Sequence, residues 1–231
     1  MYEHILSNNP KNLGDIIEGQ SFVIDGMKVT IISPDVDKLN QLREKYSNHR
    51  PLCKSEIDKA SVEAGSVMDD YFIPLQKFNL DYFQEDTSVE NASIIDAVFE
   101  YDDKRILWLS DSVPSVVMKS LFMLGFSETN KMYCDAVLLS HHGSAANNSL
   151  ALLRMIQADK YIISADGMNG HCLPNKETIA RIVSASSNLP VTLYFNYEDG
   201  RLIKMFKSDA QEDVKSRIDV HYLKDMEAIE F

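Results

Sequence analysis

The chain has 231 residues, 45% of them hydrophobic, and a formal net charge of -12. That apolar fraction is ordinary for a globular core, so disordered and fibrous classes are excluded, and the length suits one large domain or two small ones. The acidic balance argues against holding nucleic acid by bulk electrostatics and leaves only a local basic groove for that role.

Two β-like segments, Ser21-Phe22-Val23-Ile24 and Lys28-Val29-Thr30-Ile31-Ile32, flank Asp25-Gly26, a strong hairpin-turn signal. Leu39, Leu42 and Tyr46 among charges then predict a helix over residues 35–46. From residue 48 to 90 the pattern weakens. This stretch mixes charge, Pro51, Pro74 and the pairs Tyr71-Phe72 and Tyr82-Phe83, and reads as an insertion or lid, or as a surface connection with one or two short helices. Regularity returns at Asn91. Residues 93–100 and 105–109 read as strands joined by the turn Tyr101-Asp102-Asp103-Lys104, and residues 113–124 as a helix with Pro114 in its first turn. A strand over 135–139, a helix over 149–157, a strand over 160–164, a helix over 176–185 and a strand over 191–195 follow. Such alternation predicts a layered α/β domain. Residues 196–201 turn into Leu202-Ile203-Lys204-Met205-Phe206, and a charged tail from Asp209 ends in an apolar alternation over 220–231, read as an edge strand or a partner-binding segment. The expected organisation is therefore 1–90 (hairpin, helix and irregular insertion), 91–208 (core) and 209–231 (tail).

Three cysteines, Cys53, Cys134 and Cys172, are odd in number and lack CxxC spacing, so they read as reduced thiols, with Cys134 at the start of a buried strand. The N-terminal residues have neither the basic start nor the apolar core of a signal peptide, and no run is long enough to span a bilayer. The expectation is a cytoplasmic protein that does not enter the membrane.

Chemistry concentrates at Ser140-His141-His142-Gly143-Ser144, which follows the strand-like run Ala136-Val137-Leu138-Leu139. Imidazole is the commonest metal ligand and proton shuttle in proteins. Asp111 ends a second apolar run, and His171 follows a third. A carboxylate and imidazoles at strand ends suit a divalent metal such as Zn, Mn or Fe, with an open position for a water nucleophile. In that reading Asp111 is a metal ligand, one of the two adjacent histidines is a terminal ligand, Ser144 caps the next helix or bonds a substrate oxygen, and His171 orients or protonates a leaving group. Each residue also has a structural alternative. Asp111 can cap the helix that begins near Val113, His141 and His142 can form a polar turn bonded to carbonyls, and His171 can be a surface or capping residue.

The order Asn91-Ala92-Ser93, Leu107-Trp108-Leu109-Ser110-Asp111, Asp135 to Ser144, and His171 with Pro174 resembles the second half of a metallo-β-lactamase-fold hydrolase, in the competence-protein-like branch. The resemblance covers residues 19–206 and is strongest over 91–174. It implies a partial or degenerate αββα sandwich. It also implies Asp111 as a metal-bridging carboxylate, His142 as a metal ligand, and His141, Ser144 and His171 as catalytic groups acting on a phosphodiester or nucleic-acid backbone. The family's early His-x-His-x-Asp-His cluster is missing; His4 and His49 are the only histidines before His141. Ser110 stands where the family has Gly, and Cys172-Leu173 separates His171 from Pro174. Half of such a fold leaves an apolar sheet face uncovered. A second polypeptide or a second copy of this chain is therefore expected to cover it and, in the first case, to supply the missing ligands. The metal is expected to be absent from the isolated chain if its site is incomplete. The competing function is a catalytically inactive interaction or structural subunit of a larger complex.

Overall fold

The computed structural model describes residues 14–47, 69–167, 170–224 and 228–229. The predicted hairpin forms β1 (Ser21–Ile24) and β2 (Met27–Ser33), joined through Asp25 (φ 49°) and Gly26 (φ 86°). Helix α1 (Val36–Ser47) follows, with Asp35 accepting a hydrogen bond from the Lys38 amide at 2.8 Å in its first turn. Strands β3 (Asp96–Tyr101) and β4 (Lys104–Trp108) form the second hairpin, and α2 (Pro114–Met123) starts on a proline at its first position. Next come β5 (Met132–Leu138), α3 (Leu150–Arg154), β6 (Ile156–Ile163), α4 (Lys176–Ala185), β7 (Val191–Phe195), α5 (Gln211–Arg217) and β8 (Ile218–Tyr222). These strands form one mixed eight-stranded sheet in chain order, antiparallel from β1 to β4 and parallel from β4 to β8. The α/β class expected from the alternation of elements holds, with one sheet and five α-helices among the described residues.

Two expectations are corrected and a third is narrowed. The helix read over 149–157 stops at Arg154, because the chain from Ile156 onward pairs with β5, starting at Met132↔Ile156. The extended ladder takes Ile156 and Gln157 from the end of the predicted helix. The charged tail contains α5, which buries only Val214 but places Glu212 and Asp213 in its first turn and Lys215 and Arg217 in its last, complementing the helix dipole. Of the apolar alternation read over 220–231, only residues 220–222 among those described lie in an edge strand, β8, which begins earlier, at Ile218, at the sheet margin. Cys134 lies near the start of buried β5, and burial pushes its thiol up to about 12; Cys53 lies outside the described residues.

One face of the sheet carries the main core. Ile32, Val98, Leu107, Val137, Tyr161 and Leu193 pack there against residues of four helices, among them Leu121, Leu152, Ile182 and Val214. The alternate residues point the opposite way. Register lines them into a row, Ala97–Trp108–Leu138–Ile162–Tyr194–His221, running from β3 to β8. No described helix packs on this row. Trp108 is 48% exposed, and Tyr194 stacks on His221 with ring centroids 4.8 Å apart. Near β2 a small cluster of Val29, Ile31 and Ala97 extends the apolar surface. No described helix is long and apolar enough to cross a membrane.

The described part of the irregular segment, residues 69–90, is anchored to the core. Tyr71 and Leu75 are buried in the main core. The Tyr71 hydroxyl donates to the Pro174 carbonyl, and Asp70 accepts from the Lys176 and Glu177 amides at 2.8 and 2.9 Å. Only a single 3-10 turn, Leu75–Lys77, is regular before residue 91 in the described part of this segment.

Candidate functional site

Because β4, β5 and β6 are parallel and paired at Trp108↔Leu138↔Ile162, the loops that follow them leave one edge of the sheet together. The carboxyl ends of parallel strands are where open α/β sheets bind ligands. The 110–112 loop is held by Asp96, which is fully buried and accepts from the Ser110 amide at 2.7 Å and from the Ser112 hydroxyl. Burial pushes the Asp96 carboxyl up to about 7 against the pull of those two donors, with the negative charge of Asp111 adding to the rise.

The 140–143 turn holds three successive left-handed residues, His141 (φ 46°), His142 (φ 56°) and Gly143 (φ 81°). Left-handed non-glycine residues cost of order 1–3 kcal/mol each and persist only where their surroundings impose them. Here Asn148 does much of the holding. It accepts from the Ser140 amide and donates to the Ser140 and Ser144 carbonyls, both at 2.8 Å. The Gly143 carbonyl accepts from the Asn175 amide and the Thr178 hydroxyl, tying the turn to the start of α4. A Cβ on Gly143 would sit 2.8 Å from Cβ of Pro174, so glycine is required sterically as well as conformationally. The His141 amide donates to the Ser110 carbonyl at 2.7 Å, joining the turn to the Asp111 loop.

The two imidazoles serve different surroundings, with centroids 6.0 Å apart and planes at 67°. His142 is exposed, and its Nδ1 lies 2.6 Å from the Ser164 carbonyl oxygen, to which it donates, so that Nε2 is the nitrogen left outside this bond. His141 is half-buried, with Nδ1 3.3 Å from Nδ2 of Asn91 and 3.7 Å from Oδ2 of Asp86. Burial pushes the Asp86 carboxyl up. Hydrogen bonds from Asn91 (2.6 Å), the Ser88 amide (2.8 Å) and Asn147 (3.1 Å), together with the nearby His141, outweigh that and hold it below the usual range. The result is an imidazole flanked by a carboxylate held in its charged form.

This pair opens on a cavity of about 610 Å³ between the 82–91 segment, the loop after the turn and the first turns of α4. Ser144, Asn147, Asn175, Glu177 and Arg181 also line it. Arg181 is buried, donates to the Ala145 and Asn148 carbonyls and to Glu177, and lies over the Phe83 ring; its Nε, like Oδ1 of Asn147, has no hydrogen-bond partner among the described residues.

Of the residues singled out in the sequence, His141 and Ser144 meet at this cavity, while His142 faces Ser164. Asp111 is half-buried, and its carbonyl accepts from Asn147 at 3.2 Å. It does not cap α2. The N-cap is Val113, and Glu85 takes the first-turn donors instead, accepting from the Ser115 amide and hydroxyl at 2.7 Å each. Ser144 does not cap the next helix either; Ser149 does, accepting from the Leu152 amide, while Ser144 Oγ accepts from the Ala146 amide. His171 is exposed on the loop between β6 and α4 and does not line the cavity; Pro174, after the buried Cys172 and Leu173, packs on Gly143. Asp86, Asn147 and Arg181 went unread as site residues. Asp86 lies in the segment without periodicity, and the signals for the others are the Asn147-Asn148 doublet beside the turn and the Glu177/Arg181 pair at i,i+4 spacing on α4.

Among the described residues no three His, Cys, Asp or Glu side chains gather as a metal-binding group. Catalytic zinc ordinarily uses three protein ligands. Asp111 and an oriented His142 therefore do not by themselves fit a catalytic metal. No family model, curated protein or solved structure matches this chain.

Proposed function

We propose that this chain is a metallo-β-lactamase-like subunit carrying part of a hydrolase site, of phosphodiesterase or nuclease type, whose remaining metal ligands come from a second polypeptide packed on the open sheet face. One observation carries this reading. Ser164, whose carbonyl orients His142, also lines an apolar groove on the uncovered face together with Trp108, Leu138 and Ile162. The oriented imidazole and the uncovered face are thus contiguous, and a sheet docked there would bring its own strand ends beside His142. The left-handed turn supports a site over an ordinary connection, since such strain clusters at functional positions. Within this chain His142 presents Nε2, Asp111 supplies a carboxylate from the adjoining loop, and His141 with Asp86 stands ready to donate or accept a proton in the cavity behind the turn. A metal held with the partner's ligands would supply an activated water.

A second reading is an inactive interaction subunit, favoured by the lack of a three-ligand group among the described residues. Zinc titration separates the two. In the shared-site reading the isolated chain binds zinc weakly, Asp111→Ala and His142→Ala abolish even that, and stoichiometric metal appears only with a co-expressed chain carrying a His-x-His-x-Asp-His cluster. Stoichiometric metal in the isolated chain overturns the shared site. Binding that ignores both substitutions favours the inactive subunit.

A further inference from the structure

The groove on the open face has a volume of about 550 Å³ and is lined by Met27, Phe99, Ile106, Trp108, Leu138 and Ile162, with Ser164 and Asn196 at its polar end. One further residue reaches it from far along the chain. Ile229, half-buried, lines the same groove. The chain leaves the sheet at the opposite margin, where the Leu223 amide donates to the Phe195 carbonyl at 2.8 Å just beyond β8. Leu223 and Ile229 are six residue steps apart, a reach of about 20 Å at most. The three strand spacings from β8 to β5 amount to about 14 Å. The tether is therefore short, which keeps Ile229 at high effective concentration over the groove.

We infer that this groove is a docking surface whose occupant in the isolated protein is the C-terminal end of the chain, seated through Ile229, and that this end must leave before a partner's sheet can pack on the face. Two sheets stacked face to face lie about 10 Å apart, and interdigitated side chains fill the space between them. Ile229 stands in that space. Burial of one isoleucine side chain supports a closed-to-open ratio on the order of 10 to 100. Such a ratio keeps the groove occupied while the chain is alone, yet a sheet contacting the whole Ala97-to-Tyr194 row outcompetes it. The flanking Glu227 and Glu230 give the end of the chain an acidic, soluble character once released. The displacement step rests on the shared-site reading above; the seating of Ile229 does not.

Trp108 is the only tryptophan in the chain and lines this groove, so it reports on occupancy directly. The experiment compares the full chain with Ile229→Glu and with a chain ending at Lys224, using far-UV circular dichroism to verify that all three are folded. Both variants are expected to show a red-shifted Trp108 emission, stronger acrylamide quenching and increased binding of anilinonaphthalene sulfonate. A synthetic peptide of residues 225–231 should reverse these changes in the shortened chain. Unchanged Trp108 emission and quenching in both variants overturn the seating of Ile229 and leave the partner reading intact. A freed Trp108 in a chain that holds stoichiometric metal alone supports the seating and overturns the displacement by a partner.

Discussion

Lys176 gives a sharp test of how the irregular segment is fixed over the site. Its side chain is 0% exposed and that of Asp209 4%, and Nζ donates to Oδ2 of Asp209 (2.5 Å), the Ser208 hydroxyl (2.7 Å) and the Tyr71 carbonyl (3.2 Å). Lys176→Met keeps most of the aliphatic stem but removes the ammonium, which also lies over the Phe206 ring at 5.9 Å from its centroid. The Tyr71 carbonyl retains the Ser208 hydroxyl as donor, whereas Asp209 is left as a buried carboxylate with the Leu75 amide at 2.6 Å as its remaining polar contact on this side. Removing one partner of a buried pair costs about 3–5 kcal/mol, because the other charge stays desolvated. Against a total stability of about 5–15 kcal/mol this is about a fifth or more. Urea unfolding followed by circular dichroism should show the midpoint falling with an unchanged slope. The double variant Lys176→Met with Asp209→Leu should recover more than about 2 kcal/mol of that loss, since no uncompensated charge remains. A single-variant loss under about 1 kcal/mol, or strict additivity in the double variant, would refute the idea that the pair is dry and coupled.

Three further outcomes follow from other parts of the site. Asp96 has its carboxyl pushed up to about 7 from 3.8, so between those values the native state keeps a proton that the unfolded chain has lost. Stability should fall as pH rises through that window by up to about 4 kcal/mol. Asp96→Asn, which retains an acceptor for the Ser110 amide, should flatten the fall, and an unaltered slope from pH 4 to 8 would count against it. Gly143→Ala should cost about 2–4 kcal/mol from the left-handed backbone and the contact with Pro174 together. Gly125→Ala should cost only about 1 kcal/mol, since φ there is 91° but nothing lies within 4 Å of the added methyl; thermal melts of the two variants give the comparison. Glu85→Ala should cost about 1 kcal/mol through loss of the α2 cap, detectable as faster hydrogen exchange in the first turn of that helix.

The legible parts of the fold are those where a local pattern and the tertiary contact agree. Residues 176–185 and 191–195 were readable to the residue because Ile179, Ile182 and Val183 recur at helical spacing and Val191, Leu193 and Phe195 alternate, and those same residues face the core. Helix α5 was not readable, because one buried valine gives no period and its charges act through the helix dipole rather than through burial. The site divided along the same line. Sequence singled out the His141-His142 pair because two imidazoles at a strand end are unusual, and the structure adds the left-handed backbone that aims them apart. Asp86 is brought to His141 across 55 positions by hydrogen bonds that no periodicity encodes, among them its own amide donating to the Ala146 carbonyl at 3.2 Å.

The divergence of the two imidazoles makes them chemically distinct, although their sequence positions are adjacent. An imidazole that serves as a metal ligand needs one nitrogen fixed by an outer partner and the other free on the accessible side. His142 meets the first condition through the Ser164 carbonyl, and its exposure meets the second. His141 differs on both counts, since its Nδ1 lies 3.7 Å from the Asp86 carboxylate and 3.3 Å from the Asn91 amide rather than close against a carbonyl, and its ring faces the cavity on the helix side of the turn rather than the open sheet face. A carboxylate beside an imidazole suits proton transfer instead. In the shared-site reading, His142→Gln should therefore abolish zinc binding in the presence of the ligand-bearing partner chain. His141→Gln should leave zinc stoichiometry intact and remove hydrolysis. Asp86→Asn should behave like His141→Gln in kcat while shifting the pH profile of what remains, a change that a purely structural role for Asp86 does not produce. Loss of zinc in His141→Gln with retention in His142→Gln would reverse the assignment and place the metal in the cavity behind the turn.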